Sequence, residues 1–341
     1  MKAYIKNIEY DLPTNTLTNK DLIKAFPGWS LEKIVKKTGI IKRHIARKGE
    51  CSSDIGVKAA KRLFESQICR PSDIDYLIFC TQSPDYFLPT TACLLQDRLG
   101  LPLHSGAIDI NLGCSGYVYG IGMAKGLIET GQVRNVLLIT AETYSKFIHP
   151  GDKSVRTLFG DAGAATLISV WDRDKTPCLG PFVYGTDGSG ANNLIVPKGG
   201  LRSPIRSTPP LMSEDKNGNF RSDENLYMNG SEIFTFTLKR VPEIIERLLT
   251  KSSFSMVEID HFVFHQANKF MLDHLKRKLK IPEEKFITAY EKVGNTVSSS
   301  IPIALKELMI SDRLKENDLV MLIGFGVGYS WGGALVKWKK G

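Results

Sequence analysis

Residues 62–80 read RLFESQICRPSDIDYLIFC, and residues 247–265 read RLLTKSSFSMVEIDHFVFH. The two stretches align without a gap. Each consists of the end of a helix, a polar link and an apolar strand that opens with Ile-Asp. Helix–turn–strand units can look alike by chance, so two interpretations stay open. If a whole α/β unit is duplicated, two like units meet face to face and a site can lie between their strand ends.

Short apolar runs alternate with amphipathic helical stretches along the chain, which indicates an α/β fold. A length of 341 residues suits two fused halves better than one simple core. We place the halves at residues 1–172 and 173–341. Residues 199–226 are rich in Pro, Ser, Gly and charge and predict a long surface loop, either disordered or a lid over a site. The predicted strands cover residues 74–80, 106–110, 135–142, 163–171, 182–186, 259–265, 318–326 and 333–338.

Composition excludes several classes of protein. With 42% apolar and 24% charged residues the chain is typical of an ordinary globular protein. No apolar run approaches the roughly 18 residues of a membrane span, and the N-terminus lacks the apolar core of a signal peptide, so we expect a cytoplasmic protein. The cysteines show no CxxC spacing, which argues against a metal site and a disulfide framework. The net charge of +9 favours acidic partners, but no nucleic-acid-binding motif accompanies it.

The stretch NLGCSG at residues 111–116 places Cys114 where a predicted strand gives way to a helical pattern that ends near Gly131. A helix N-terminus favours the thiolate over the thiol, whose free pKa is about 8.5. Gly113 and Gly116 allow a tight turn and the close approach of a substrate chain. Taken alone, the stretch fits a buried structural cysteine as well as a nucleophile.

Two further polar segments follow predicted strands in the second half. HQAN at residues 265–268 places His265 directly after a buried strand, where polar groups need partners or a chemical role. Gly294 and Asn295 form a turn ahead of a helix that we predict from about Ser298. A histidine or an asparagine in such a position is often structural. GFGVGYSWGGALVKW at residues 324–338 predicts a Gly-rich turn whose backbone N–H groups could face a site.

In their order along the chain, these segments resemble the thiolase-fold condensing enzymes, and most nearly the β-ketoacyl-acyl carrier protein synthase III group. The resemblance spans the chain and includes TGIIKRHIA (38–46), PTTACLLQDRLGL (89–101) and LFGDAGAA (158–165). It implies a thiolase-like fold in which two duplicated α/β halves form a layered αβαβα core. It also implies a homodimer.

The resemblance implies that Cys114 takes an acyl group from acyl-CoA or an acyl carrier protein. A malonyl-carrier protein then loses CO₂, and its enolate attacks the acyl-enzyme to give a 3-oxoacyl-carrier protein. His265 and Asn295 match the pair that stabilises decarboxylation. The N–H groups of Cys114 and Val327 match the oxyanion hole, and valine fits there only if its φ is negative. The resemblance implies thioester substrates and no metal or other cofactor.

The resemblance also implies substrate contacts. Lys33 stands where many members carry a tryptophan that stacks on the CoA adenine, and Lys153 stands where they carry an arginine. A lysine can meet a phosphate but cannot stack as a planar group. Lys37 and Asn268 complete the predicted thioester-binding set. Leu88 matches an acyl-pocket position that reaches across the family dimer.

The helical stretch after HQAN presents a basic face that includes Lys269, Lys276 and Arg277. One interpretation is a solvated helix face without a partner. The family interpretation is a docking patch for an acidic carrier protein beside the mouth of the active site, which would weaken with salt.

Two other activities remain open from the sequence. An acyltransferase would move the acyl group from Cys114 to an oxygen or nitrogen, with His265 as the base and a smaller role for Asn295. A 3-hydroxy-3-methylglutaryl-CoA synthase would need an acidic residue where Gln82 stands, although Asp85 is near. The intact Cys, His and Asn argue against a non-catalytic partner subunit.

Overall fold

The computed structural model describes residues 1–205 and 209–340. Two five-stranded sheets form its centre. The strands are β1 (Lys2–Asp11), β2 (Asn15–Thr18), β3 (Lys42–Ile45), β4 (Tyr76–Cys80), β5 (Gly106–Ile110), β6 (Asn135–Glu142), β7 (Ala162–Trp171), β8 (Leu179–Thr186), β9 (Leu194–Ile195), β10 (Ser213–Glu214), β11 (Phe220–Arg221), β12 (Tyr227–Met228), β13 (His261–Phe264), β14 (Phe286–Ile287), β15 (Leu319–Gly326) and β16 (Ser330–Lys337). The helices are α1 (Asn19–Ala25), α2 (Leu31–Thr38), α3 (Ser52–Glu65), α4 (Thr91–Arg98), α5 (Gly116–Glu129), α6 (Lys153–Arg156), α7 (Gly230–Ser252), α8 (Lys269–Leu279) and α9 (Ser300–Ile310).

The two large sheets have the same topology. The first has the order β1-β7-β6-β4-β5, and the second, taken in the same sense, has the order β8-β16-β15-β13-β14. In both sheets the first two neighbouring pairs are antiparallel and the last two are parallel. This equivalence is what duplication of a whole α/β unit produces. The match between residues 62–80 and 247–265 therefore reflects duplication, with β4 and β13 in equivalent positions.

The sheets and helices form the predicted αβαβα layers. Helices α5 and α9 lie between the two sheets, and apolar side chains such as Val118 and Ile301 fill this middle layer with Ile78 and Leu322. Helices α3 and α4 cover the outer face of the first sheet. Helix α7 covers the second sheet, and α8 packs against both α7 and α2. This packing brings the carboxyl ends of β4 and β13 toward one region between the halves.

The strand predictions agree closely with the structure. The predicted runs 106–110 and 135–142 coincide with β5 and β6. Strand β16 begins at Ser330, earlier than predicted, because the glycines of the predicted turn pair with β15. These glycines also allow helices to pack closely on the strand. A Cβ on Gly333 would lie 2.5 Å from the Ile244 side chain of α7. The predicted boundary after residue 172 falls in the link between β7 and β8.

The predicted loop 199–226 contains a short hairpin, β10–β11, in its described part, while residues 206–208 lie outside the described residues. Arg221 of this hairpin pairs with Asp152 at 2.9 Å and with Asp215 at 3.1 Å. The backbone N–H of Phe220 donates to the Gly151 carbonyl at 3.2 Å. These contacts attach the hairpin to the turn that precedes α6.

Within residues 1–205 and 209–340, no helix combines the length and the apolar character that crossing a bilayer requires. Over the same residues, no group of three or more His, Cys, Asp or Glu side chains is arranged to hold a metal ion. The cysteines are free thiols, of which Cys93 is exposed and Cys114 is buried.

Candidate active site

A cavity of about 940 Å³ is lined by residues of both halves. Cys114 reaches it from the start of α5, His265 from the end of β13, and Asn295 from the turn before α9. Phe325 and Gly326 of β15 complete the wall around these three side chains. The structure thus brings together three residues that are far apart in the sequence and that the sequence predicted to act together.

Glycines and backbone donors surround the Cys114 sulfur. A Cβ on Gly326 would lie 2.8 Å from that sulfur, so a glycine is needed for β15 to approach it. The backbone N–H groups of Cys114 and Val327 lie close enough to the sulfur to lower the pKa of its thiol. Val327 is not among the described non-glycine residues with positive φ, so its side chain is accommodated without strain. Both predicted oxyanion-hole donors therefore lie beside the sulfur.

The ionisation of Cys114 differs from the sequence prediction. Burial, reinforced by the Glu142 carboxyl, raises the pKa of the Cys114 thiol to about 12, although the two N–H bonds act in the opposite direction. The side chain is only 5% exposed, so desolvation of the thiolate outweighs the effect of the helix N-terminus. The Cys114 side chain is therefore a neutral thiol at rest, and any reaction through its thiolate requires a group that accepts the proton.

We expect iodoacetamide at neutral pH to alkylate Cys93 before Cys114, because only the thiolate reacts and the raised pKa leaves little thiolate at Cys114. The rate at Cys114 should rise about tenfold per pH unit through the alkaline range. Peptide-resolved mass spectrometry over time measures both rates in one sample. Equal rates for the two thiols at pH 7 would mean that Cys114 is already ionised.

His265 is buried, and this burial lowers the pKa of its imidazole to about 3, so the ring is neutral. Its Nδ1 lies 2.7 Å from the Ser300 hydroxyl, which is also 2.8 Å from the Val297 carbonyl. When Ser300 donates to Val297, the ring carries its proton on Nδ1 and Nε2 is an acceptor. When Ser300 turns to donate to Nδ1, Nε2 carries the proton and is a donor. The same ring can therefore accept a proton in one step and donate a hydrogen bond in another.

Asn295 is held by backbone contacts with the first half. Its N–H donates to the Leu158 carbonyl at 2.9 Å, and its carbonyl accepts from Gly160 at 3.0 Å. Its Oδ1 accepts the Val297 N–H at 3.0 Å, which leaves the Nδ2 amide as the donor for a ligand. Val297 has a φ of 53°, a left-handed conformation that costs a β-branched residue about 1–3 kcal/mol. This strained turn leads from Asn295 to Ser300, whose hydroxyl contacts His265.

The mouth of the cavity is basic. Lys37 and Lys153, both predicted, line it together with Lys216 of the β10–β11 hairpin. Gly218 of the hairpin has a φ of 73°, and a Cβ there would lie 3.1 Å from the Lys153 ammonium. The predicted loop therefore contributes to the cavity wall. Lys216 was missed because its place depends on how the hairpin packs.

An aromatic ring lines the mouth from an unpredicted position. Trp29, which lies just before α2, is part of the cavity wall. Lys33, predicted as a substrate contact, is exposed one helical turn later and is not among the described residues that line the cavity. Asn268 lines the cavity as predicted, and its side chain also caps α8 by accepting the Met271 N–H at 3.0 Å. Its Nδ2 group is left for a ligand.

The predicted basic patch on α8 is partly neutralised by acids. Lys269 pairs with Asp273 at 2.8 Å, and Lys276 pairs with Glu283 from the segment after the helix. The Lys276 side chain is only 17% exposed. Arg277 is exposed, and its Nε donates a hydrogen bond to the Asp273 backbone carbonyl. The patch carries less free charge than the sequence indicates.

Leu88, predicted as an acyl-pocket residue, is 86% exposed and is not part of the cavity wall. Tyr86 and Phe87, its neighbours in the same loop, are exposed as well. The cavity of this chain is therefore lined without Leu88, and any contact of Leu88 with an acyl group would have to occur in a second copy.

The chain is similar to proteins of one family along almost its whole length. The family model described as 3-oxoacyl-[acyl-carrier-protein (ACP)] synthase III matches residues 108–188, and that of its C-terminal part matches residues 249–338. The β-ketoacyl-[acyl-carrier-protein] synthase III of Caldanaerobacter subterraneus subsp. tengcongensis is 36% identical over 330 residues, 96% of each chain. That of Clostridium perfringens is 38% identical over 326 residues, 95% of this chain and 96% of the relative. A crystal structure of a 3-oxoacyl-(acyl-carrier-protein) synthase III has a TM-score of 0.97 and 51% identity, and covers 99% of this chain and 100% of that chain.

Proposed function

Because this chain belongs to the β-ketoacyl-[acyl-carrier-protein] synthase III family, we propose that Cys114 is the nucleophile of a decarboxylative condensation assisted by His265 and Asn295. The chain is a condensing enzyme and an acyltransferase. The observation that carries the assignment of residues is the meeting of these three side chains on one cavity. Thioesters are the substrates, and the proposed chemistry needs no other group.

In the first half-reaction the Cys114 sulfur attacks the carbonyl carbon of the acyl donor. The thiol proton passes to His265, in the tautomer whose Nε2 is an acceptor. The oxyanion accepts hydrogen bonds from the N–H groups of Cys114 and Val327, each worth about 3 kcal/mol. The tetrahedral intermediate expels the donor thiolate, which takes the proton back from His265. The acyl group is then a thioester on Cys114.

In the second half-reaction a malonyl thioester occupies the same cavity. Its thioester oxygen accepts hydrogen bonds from His265 Nε2 and Asn295 Nδ2 while the carboxylate leaves as CO₂. The electron pair of the broken C–C bond forms the enolate, whose carbon attacks the acyl carbon on Cys114. The C–S bond breaks, the thiolate of Cys114 takes a proton from water, and a 3-oxoacyl thioester leaves. Asn295 donates at any pH because its amide does not titrate.

The experiment that tests this function uses intact-protein mass spectrometry with a panel of acyl-CoA and acyl-carrier donors. We expect one donor class to add its acyl mass at Cys114. Added malonyl-carrier protein should then remove the adduct and yield a 3-oxoacyl product. If the adduct instead passes to an oxygen or nitrogen acceptor without malonyl, the acyltransferase alternative replaces this proposal.

The 3-hydroxy-3-methylglutaryl-CoA synthase alternative lacks support. Asp85, the acid near the required position, accepts a hydrogen bond from Ser53 at 2.6 Å and does not line the cavity. The named relatives are β-ketoacyl-[acyl-carrier-protein] synthases.

The mouth suits a phosphate-bearing thioester. Lys37, Lys153 and Lys216 supply positive charge for the phosphates of CoA or phosphopantetheine. Trp29 supplies an aromatic face for a planar group. We therefore assign the adenine-side contact to Trp29 and not to Lys33. A cytoplasmic location stays a prediction of the sequence.

A homodimer is supported by exposed apolar side chains. Strand β5 is an edge strand of the first sheet, and an edge is a site of pairing between chains. Phe87, Leu88 and Leu103 are exposed in the segments on either side of α4, which precede β5. In such a dimer Leu88 would reach the acyl pocket of the partner.

We expect charge reversal at Lys36 and Arg277 to raise the KM for a carrier-bound substrate several-fold at low salt. Both are exposed, on α2 and α8, which pack together beside the mouth. Each exposed charge contributes about 0.2–1 kcal/mol, and salt should remove the effect. Lys175→Glu, on the link between β7 and β8, is the matched control. An unchanged KM for the carrier-bound substrate would mean that the face is only solvated.

A further inference from the structure

Glu142, the last residue of β6, is a buried acid without a cation. Its exposed fraction is 0%, and none of the ion pairs in the described residues includes it. All of its described hydrogen-bond partners are neutral donors. A carboxyl group in this position is costly to bury. It therefore has a role that outweighs this cost.

On one side, Glu142 fixes the loop behind the nucleophile. The N–H of Gln82 donates to both carboxyl oxygens, at 3.1 and 3.2 Å, and the Ser83 hydroxyl donates at 2.9 Å. The Gln82 side chain packs against Gly113, the residue before Cys114, where a Cβ would lie 2.4 Å from its Oε1. Movement of Glu142 would therefore be transmitted to the segment that carries the sulfur.

On the other side, Glu142 binds the second half. The Ser298 hydroxyl donates to Glu142 Oε1 at 3.0 Å. Ser298 lies in the turn Val297–Ser299, between Asn295 and the Ser300 hydroxyl that contacts His265. One carboxyl group thus contacts the loop beside the nucleophile and the turn that carries both enolate donors.

We propose that Glu142 is a positioning residue that holds the turn of Asn295 and Ser300 in register with Cys114. This inference rests on the proposed condensing function. In this role Glu142 aligns the sulfur of the first half with the enolate donors of the second half. The alignment matters because the acyl carbon on the sulfur must lie within reach of the bound enolate.

The charge of Glu142 has a second consequence. Burial raises the pKa of its carboxyl to about 8, so its charge changes in the neutral range. The other titratable groups facing it are Cys80, Tyr144 and Cys114, whose pKa values are all raised by burial, and His265 is neutral. No described cation opposes the Glu142 charge. Its ionised form therefore raises the pKa of Cys114.

Ser298→Ala removes only the hydrogen bond between Glu142 and the second half. We expect decarboxylation of the malonyl thioester to fall about tenfold, as expected for one lost hydrogen bond. Acylation should fall less, because strand β13 also holds His265, and alkylation of Cys114 should stay within about twofold of the parent enzyme. Decarboxylation at the parent rate would overturn the proposal.

Glu142→Gln keeps the shape of the side chain and removes its charge. It also replaces one carboxyl oxygen with an amide NH2 group, which cannot accept a hydrogen bond from the donors that face Glu142. We expect a loss of decarboxylation of tenfold or more, about that of Ser298→Ala or larger. The pH profile of Cys114 alkylation should also shift toward lower pH, because the opposing charge is gone. This shift is a readout that a purely structural role would not produce.

Asp161→Asn is the matched control, because Asp161 is also a buried acid with raised pKa, bound to Ser145 and Ala46. It is not among the groups that shift Cys114. We expect it to lower the melting temperature without moving the alkylation profile. If Glu142→Gln behaves in the same way, with both half-reactions reduced in proportion, the proposal is wrong. If the parent enzyme fails to decarboxylate malonyl thioesters, the proposed function fails instead, and the alkylation shift still reports on Glu142.

Discussion

Replacement of Cys114 by alanine is expected to abolish the covalent acyl adduct and to lower condensation by at least about 10³-fold. The variant loses the only atom proposed to form the thioester. Decarboxylation of a malonyl thioester should stay measurable, because its donors are His265 and Asn295 and neither requires the sulfur. Intact-protein mass spectrometry measures the adduct, and release of labelled CO₂ measures decarboxylation.

Cys93→Ala is the control for this experiment, since Cys93 is an exposed thiol outside the cavity. It should acylate and condense like the parent enzyme. Persistence of an adduct in Cys114→Ala, at any other cysteine, would show that the nucleophile is misassigned. Loss of decarboxylation together with acylation would show that the sulfur also contributes to binding of the malonyl group.

The fold could be predicted because its determinants are local or repeated. The apolar run of β6 predicts the strand at its observed position, since burial on both faces leaves a continuous apolar pattern. The two stretches that end at Cys80 and His265 indicated duplication, and the equal topology of the sheets confirms it. The order of Cys114, His265 and Asn295 along the chain then indicated which strand ends meet.

Other features depend on contacts between distant segments and could not be predicted. The sequence places Cys114 at a helix N-terminus and predicts a thiolate, but burial by the second half raises its pKa instead. The periodicity of α8 predicts a basic face, but Glu283 from outside the helix pairs with Lys276. Glu142 gave no signal at all, because its role arises only where the two halves meet.

Asn295→Asp is expected to lower decarboxylation of the malonyl thioester by about 10²–10³-fold while Cys114 is still acylated. The aspartate keeps the oxygen that accepts the Val297 N–H, so the strained turn should be retained. It replaces the amide donor with a carboxylate, which repels the developing enolate. Burial raises the pKa of such a carboxyl, so lower pH should restore part of the rate as the protonated acid becomes a donor.

Asn295→Ala separates the effect of losing the amide donor from the effect of adding a carboxylate charge. It removes the amide without adding a carboxylate, so its loss should be smaller than that of Asn295→Asp at neutral pH and should not recover as the pH falls. It also removes the oxygen that holds Val297, so its melting temperature should drop at every pH, whereas any drop in the aspartate variant should shrink as the pH falls and its carboxyl is protonated. CO₂ release and the mass of Cys114, measured from pH 5 to 9, distinguish these outcomes. If both variants decarboxylate at the parent rate while Cys114 is acylated, Asn295 is not an enolate donor, and transfer of the acyl group to an oxygen or nitrogen becomes the better account of the site.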